Sequence, residues 1–277
     1  MLKPAIFAAV LLAASPALAQ EAEPLPSPEE AAGGFTIAGG VAWLPDYEGS
    51  DDYRIIPAVA IRGKVAGVGV ISRGTYVYAD FFPRSGDKMD LDLGPIVGVR
   101  ANRTGKVDDD FVDLLPERKV AIEIGAFAGV SFHDLTNPYD SLSFRVDALQ
   151  DIGNAHESTV ISPSVDFSTP LSRYTYVSAS VSAEFVSGKF ADYYYSITPA
   201  DALASGLPVF DADGGLKSWK IGLLASQSVT GDLTGGLSIF GTANYSRLVG
   251  DFKDSPIVSD RGSAGQWLLA AGLAYTF

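Results

Sequence analysis

The chain has 277 residues, 47% hydrophobic and 19% charged, with a formal net charge of −13 and no cysteine. The missing cysteines exclude disulfides, thiolate metal sites and thiol nucleophiles, and the acidic balance argues against nucleic acid or other polyanionic partners. Beyond the first residues no stretch reaches the roughly 18 uninterrupted apolar residues of a spanning helix, which excludes a helical membrane protein.

Residues 1–19 read as a cleaved export signal: Lys3 supplies the positive start, Ala5 to Ala14 a short apolar run, and Ala17-Leu18-Ala19 small residues ahead of Gln20. Residues 20–33 carry Glu21, Glu23, Glu29 and Glu30 among Pro24, Pro26 and Pro28. So little apolar surface cannot offset the entropy of ordering, so a flexible periplasmic tail is expected. From Gly34 to Phe277 the pattern changes to segments rich in Val, Ile, Tyr, Phe, Ser and Gly that alternate apolar with polar or small residues, and helical spacing is hard to find.

The alternation predicts twelve strands, near 34–44, 55–63, 66–72, 75–82, 89–102, 118–132, 141–152, 157–169, 174–187, 217–229, 232–247 and 264–277. The last is the clearest. Trp267, Leu269, Ala271, Leu273, Tyr275 and Phe277 share one face, while Ala270, Gly272, Ala274 and Thr276 share the other. In the other strands the charges on the polar face fall at Asp92, Arg100, Glu123, Arg145, Asp147, Asp166 and Glu184, which would point inward. Alternation alone fits a soluble sandwich as well as a barrel. With a periplasmic N-terminus, however, the long connections 103–117, 188–216 and 248–263 all fall outside and the short turns inside, as in outer-membrane barrels. The fold class expected is therefore all-β: one transmembrane antiparallel barrel in the outer membrane of a Gram-negative bacterium, in contact with outer-membrane lipids.

Three connections hold candidate site residues. Asp46, Glu48, Asp51 and Asp52 beside Tyr47 could offer oxygen ligands to a divalent cation, but the spacing of an EF-hand is missing and a solvated loop tip is the expectation, as it is for Asp108-Asp109-Asp110. Tyr193, Tyr194 and Tyr195 are expected to form part of an interfacial aromatic girdle rather than a ligand-stacking surface. His133 and His156 fall in a periplasmic turn and an outward loop. Neither is expected beside a buried acid and nucleophile, so no catalytic residue, cofactor or metal is assigned and a lipid hydrolase is disfavoured.

Several short motifs carry a resemblance. Pro45-Asp46-Tyr47-Glu48-Gly49-Ser50 with Tyr53 and Pro57 comes first. Tyr193-Tyr194-Tyr195-Ser196-Ile197-Thr198 follows, with Ala202, Ser205-Gly206-Leu207 and Gly214-Gly215. Tyr245-Ser246-Arg247-Leu248 with Asp254-Ser255-Pro256-Ile257-Val258 completes the set. In this order, across the mature chain, they resemble the MipA/OmpV family; Tyr195-Ser196-Ile197 stands where that family more often has Tyr-Gly-Val. The resemblance implies a non-enzymatic outer-membrane scaffold that brings a lytic transglycosylase together with a bifunctional murein synthase. Its periplasmic surface would be the tail and the turns Arg84 to Lys88 and His133 to Asp140. A porin-like passive channel for small solutes is the alternative, depending on whether the inward charges line a path or pair with one another.

Overall fold

A computed structural model describes residues 34–82 and 88–277. The signal peptide and acidic tail expected in 1–33 lie outside the described residues, as does most of the turn at 84–88. Twelve strands run in chain order: β1 Thr36–Pro45, β2 Tyr53–Val65, β3 Val68–Arg73, β4 Tyr76–Asp80, β5 Met89–Arg100, β6 Ala121–His133, β7 Ser141–Asp151, β8 Thr159–Pro170, β9 Thr175–Val186, β10 Gly215–Ser228, β11 Gly236–Leu248 and β12 Gly265–Thr276. Each pairs antiparallel with the next, and β1 closes the ring on β12 from Thr36 opposite Thr276 to Trp43 opposite Leu269. At the middle of this seam the strands approach too closely for a side chain at Gly40 or Gly272. A Cβ on Gly40 would stand 2.2 Å from the carbonyl oxygen of Ala271, and one on Gly272 2.3 Å from that of Gly39.

The period-2 alternation sorts side chains to the two faces. Val41, Val59, Leu91, Val97, Ile122, Phe144, Val146, Val181, Ile221, Leu223, Ile239 and Leu273 stand exposed on the outside. An apolar belt of this extent is not a water-facing surface, and closure into a ring satisfies most of the strands' backbone groups without solvent, so the belt faces lipid. Aromatic rings edge it. Trp43 stacks on Tyr53 with centroids 4.0 Å apart, Tyr245 lies 5.6 Å from Trp219 and 5.1 Å from Trp267, and Tyr275 meets Phe277 at 4.9 Å at the other end.

The connections are unequal. At the end of the barrel where β1 begins, 66–67, 134–140, 171–174 and 229–235 are turns, and the asymmetry of outer-membrane barrels assigns that end to the periplasm. On the outer side 101–120 holds a 3-10 turn at Val112–Leu114, 187–214 holds helices α1 (Gly188–Tyr195) and α2 (Pro199–Ser205), and 249–264 holds the one-turn helices α3 (Asp251–Asp254) and α4 (Pro256–Ser259). None of these helices was visible as periodicity, because two turns are too few to establish a 3.6-residue repeat. The start of α2 does carry a local signature. Thr198 and Asp201 form a reciprocal capping box with Pro199 in the first turn, and Gly206, at φ 77°, ends it.

The wall is uneven in one place. β3 meets β2 only from Arg62 to Val65 and the β3–β4 hairpin turns back at Arg73–Tyr76, so the outer stretch of β2 is paired to β1 alone among the described strands.

Candidate functional site: a capped, charge-braced lumen

The seven inward charges named from the sequence lie on the inner face of β5 to β9, where the structure joins them in tiers. In the outermost, Arg100 reaches Glu123 at 3.0 Å with Nε and Glu184 at 3.2 Å with Nη1. Lys217 bridges Glu184, at 2.9 Å, and Glu48. Glu123 also accepts from the Tyr76 hydroxyl and lies 2.8 Å from His156 Nε2. The side chains of Glu123, His156 and Lys217 are fully shielded from solvent. Burying so much charge is tolerable only because each group has an opposite partner.

One tier inward, Arg145 Nε meets Asp147 at 2.8 Å, the Tyr78 hydroxyl donates to the same carboxylate at 2.9 Å, and Asp166 lies 3.5 Å from Arg73 and 3.9 Å from Arg145. Towards the periplasm, Ser131 donates to Asp92 at 2.5 Å and shares a 2.7 Å hydrogen bond with Ser143, while His133 Nε2 stands 3.1 Å from Asp90.

The outer mouth is covered by a cap with its own apolar core. Phe190, Ala191, Tyr194 and Tyr195 of α1 pack with Ile197, Leu207 and Ala212, with Phe252, Ile257 and Val258 from the β11–β12 connection, with Tyr47, and with Val107, Val112 and Leu115 from the β5–β6 connection. Phe190 and Tyr194 rings lie 4.8 Å apart, and Tyr195 meets Phe252 edge-on at 5.0 Å. Polar ties fix the packing. Arg103 Nη2 donates to Tyr194 O at 2.7 Å, Ser255 Oγ to Tyr195 O at 2.6 Å, and Tyr47 OH to Ile257 O at 3.1 Å. Burial pushes the Tyr47, Tyr194 and Tyr195 hydroxyls well above the ordinary tyrosine value. Burial, with Arg118 adding repulsion, lowers the Arg103 guanidinium to about 10. These are groups in a dry interior.

Three expectations are corrected. Tyr194 and Tyr195 do not belong to an interfacial girdle but are completely buried in the cap, and Tyr193 lies beneath Arg118, whose guanidinium carbon is 4.8 Å from the ring centre. Three successive tyrosines on a helix point in three directions, and two of those directions here are core. The 46–52 loop is not simply a solvated tip. Asp46 is buried against Arg54 at 3.2 Å, Tyr47 is in the core and Glu48 pairs with Lys217, leaving Asp51 and Asp52 exposed. Among the described residues no group of three His, Asp or Glu side chains could hold a metal ion. Finally, both histidines do stand beside buried acids, His156 beside Glu123 and His133 beside Asp90. His156 lacks a serine partner all the same: its Nδ1 and the buried Ser158 Oγ two residues on are both without hydrogen bonds.

Sequence reasoning missed Lys217, Tyr76, Tyr78 and Arg73. The register of β10 against β9 shifts between Leu216 and Ser218, which takes Lys217 out of the strand's alternation. Tyr76 and Tyr78 carry no formal charge to mark the polar face, although a buried Tyr calls for a partner for its hydroxyl.

A closed antiparallel ring with an apolar outer belt, two aromatic girdles and a polar, internally paired lumen defines a transmembrane β-barrel of the outer-membrane type. The chain belongs to the MipA family, described as MltA-interacting protein MipA, which it matches over residues 37–277. No curated protein matches it. Among solved structures it is similar to the NanC porin, with 9% identity and a TM-score of 0.47 over 87% of this chain and 98% of that one. An outer membrane channel from Pseudomonas putida F1 gives 10% identity and a TM-score of 0.46 over 93% and 98%. OmpT of Vibrio cholerae gives 9% and 0.36 over 88% and 97%.

Proposed function

We propose that this protein is a non-enzymatic outer-membrane anchor that presents its periplasmic face to a murein lytic transglycosylase of the MltA kind, and through it to a bifunctional murein synthase. The observation that carries the reading is the closed outer mouth: an apolar cap above a lumen crossed by ion pairs suits a rigid platform better than an open pore. The partner class comes from the family description. The 134–140 turn offers a recognisable surface, built on Asp140, whose carboxylate gathers the backbone N–H groups of Leu135, Thr136 and Asn137 and so holds the exposed Leu135 in place.

The test combines two measurements on the full-length protein. In planar bilayers a platform is electrically silent, and in a pull-down it retains the soluble domain of an MltA-type transglycosylase, with retention weakened by replacing residues 134–139 with glycine and serine. A steady conductance without retention overturns the reading. It would favour a narrow passive channel, a second reading supported by the small inner face of β1, β2 and β12, where Ala38, Ala58, Ala60 and Ala274 are not fully buried.

A further inference from the structure

The uneven stretch of wall between β2 and β5 has a defined frame. One side is β2, whose residues from Tyr53 to Ala60 pair with β1 and with no other described strand. The bottom is the tip of the β3–β4 hairpin, where two hydroxyls finish the ladder: Ser72 Oγ accepts from Ile61 N–H at 2.8 Å, and Thr75 Oγ1 donates to Val99 O at 2.6 Å. The other side is the end of β5. Overhead the loops join, Asp46 accepting from Asp108 N–H at 2.9 Å and Asn102 from Glu48 N–H at 3.0 Å. The result is a window through the barrel wall beneath a bridge of loops.

Its depth follows from the girdle. Trp43 and Tyr53 mark the outer interface on these strands, and Ile55 to Ala60 descend from it by about 12 Å for tilted strands, which puts the window in the outer half of the hydrocarbon layer. Its β2 side is aliphatic. Ile55 is 69% exposed, Val59 80% and Ile56 37%. The Ile61 N–H faces the hairpin, so the strand's alternation aims the backbone of Val59, Pro57 and Ile55 at the same edge. Pro57 has no N–H to leave unpaired in lipid, and for the same reason it is a poor template for a strand from a second copy. Behind the rim, Ile56, Ala58 and Ala60 of β2 and Ala38, Gly40 and Ala42 of β1 form a lumen face of small or apolar side chains.

We propose that this window admits an acyl chain of an outer-leaflet lipid, making the lumen beside β1 and β2 a groove reached sideways from the membrane. The aliphatic β2 side, the absence of charge between Arg54 and Arg62, and the depth below the girdle select a hydrocarbon chain over water, and Pro57 in the edge disfavours a paired peptide strand.

The test uses single tryptophans in a variant with Trp43, Trp219 and Trp267 replaced by Phe, reconstituted in phosphatidylcholine vesicles with dibrominated acyl chains. Ile56→Trp and, as a second reporter, Ala60→Trp both point into the lumen beside the window; Val59→Trp faces lipid, and Leu224→Trp faces the lumen behind fully paired wall. Each variant is first shown to retain the boiling-dependent gel shift of a closed barrel. The expected result is that the two window reporters lose as large a fraction of their emission as Val59→Trp, while Leu224→Trp keeps its own. Window reporters that behave like Leu224→Trp and are instead quenched by aqueous acrylamide would overturn the proposal. So would reporters shielded from both quenchers in a dimeric species, which would put a second copy on the edge.

Discussion

The two halves of the lumen wall are built on opposite plans. From β4 to β9 the inner face carries large and charged side chains, Tyr76, Tyr78, Ile96, Arg100, Glu123, Phe127, Arg145, Asp147, Asp166 and Glu184, and these touch one another. From β10 through β12 to β1 and β2 the inner face is mostly small or uncharged, with Gly222, Leu224, Thr242, Asn244, Ala270, Gly272, Ala274, Gly40, Ala42, Ala58 and Ala60, and its charges, Lys220 towards the outer end and Arg62 and Lys64 towards the periplasmic end, lie off the middle tiers. The interior is therefore filled from one side, and the space that remains lies along the other. Rigidity and accessibility are thus assigned to different strands of the same ring, which a uniformly packed barrel could not achieve.

Breaking the charged half should have the largest effect. Glu123→Leu leaves Arg100, His156 and Tyr76 without their common acceptor. The expected loss is about 3–5 kcal/mol, the cost of orphaning buried charge. Urea unfolding in detergent micelles, followed by tryptophan fluorescence, measures it; a loss below 1 kcal/mol would mean that the pairs do not brace this half. A smaller effect is expected at the seam of the other half. Gly40→Val drives a side chain against the Ala271 backbone and should cost about 1–3 kcal/mol, read as a lower temperature for the boiling-dependent gel shift. Ala270→Leu, which points into the free space, should stay within about 0.5 kcal/mol by the same assay. Were it to cost as much as Gly40→Val, the two halves would not differ in packing as described.

The smallest effect concerns the tie between the halves. Asp109, in the connection after β5, holds Arg261, in the connection before β12, its Oδ2 accepting from Nε at 3.0 Å and from Nη2 at 2.7 Å. Burial alone would raise this carboxyl, but the Arg261 hydrogen bonds and the N–H groups of Val112 and Phe111 outweigh it and hold it below the usual range. A carboxyl depressed in the folded state stabilises above its unfolded value, near 3.9, and that stability is lost as pH falls through the folded value. Limited proteolysis of the cap should therefore be unchanged from neutral pH to about 5 and increase only below about 4. Asp109→Asn should be more readily cleaved at neutral pH and show a weaker acid step.

The ring was readable because each strand repeats one decision, inward or outward, ten or so times. Glu123, Arg145 and Asp166 could be placed on a face by parity alone. The cap was not readable. Phe190, Tyr194, Ile197, Phe252 and Ile257 sit in helices or turns too short to show a period, and the surfaces that bury them come from connections far away in the chain. Tyr47 shows the difficulty best. Its acidic neighbours argue for a solvated loop, and its burial is explained by partners more than 200 residues on, where its ring packs in the cap core and its hydroxyl donates to Ile257 O, 210 residues away. The window between β2 and β5 escaped for a related reason: strand lengths can be read from the sequence, but their register cannot.

That cap draws on the β1–β2, β5–β6, β9–β10 and β11–β12 connections together. The contacts that join Tyr47 and Gly49 to Ile257 and Gln266 cannot form until the ring has brought the first and last strands side by side, because closing so large a loop is entropically costly beforehand. Assembly thus has an order. The cap is the last part to set and a natural record that insertion has finished, and a chain stalled before β12 meets β1 would display Phe190, Tyr194 and Phe252 as an open apolar surface at the cell exterior.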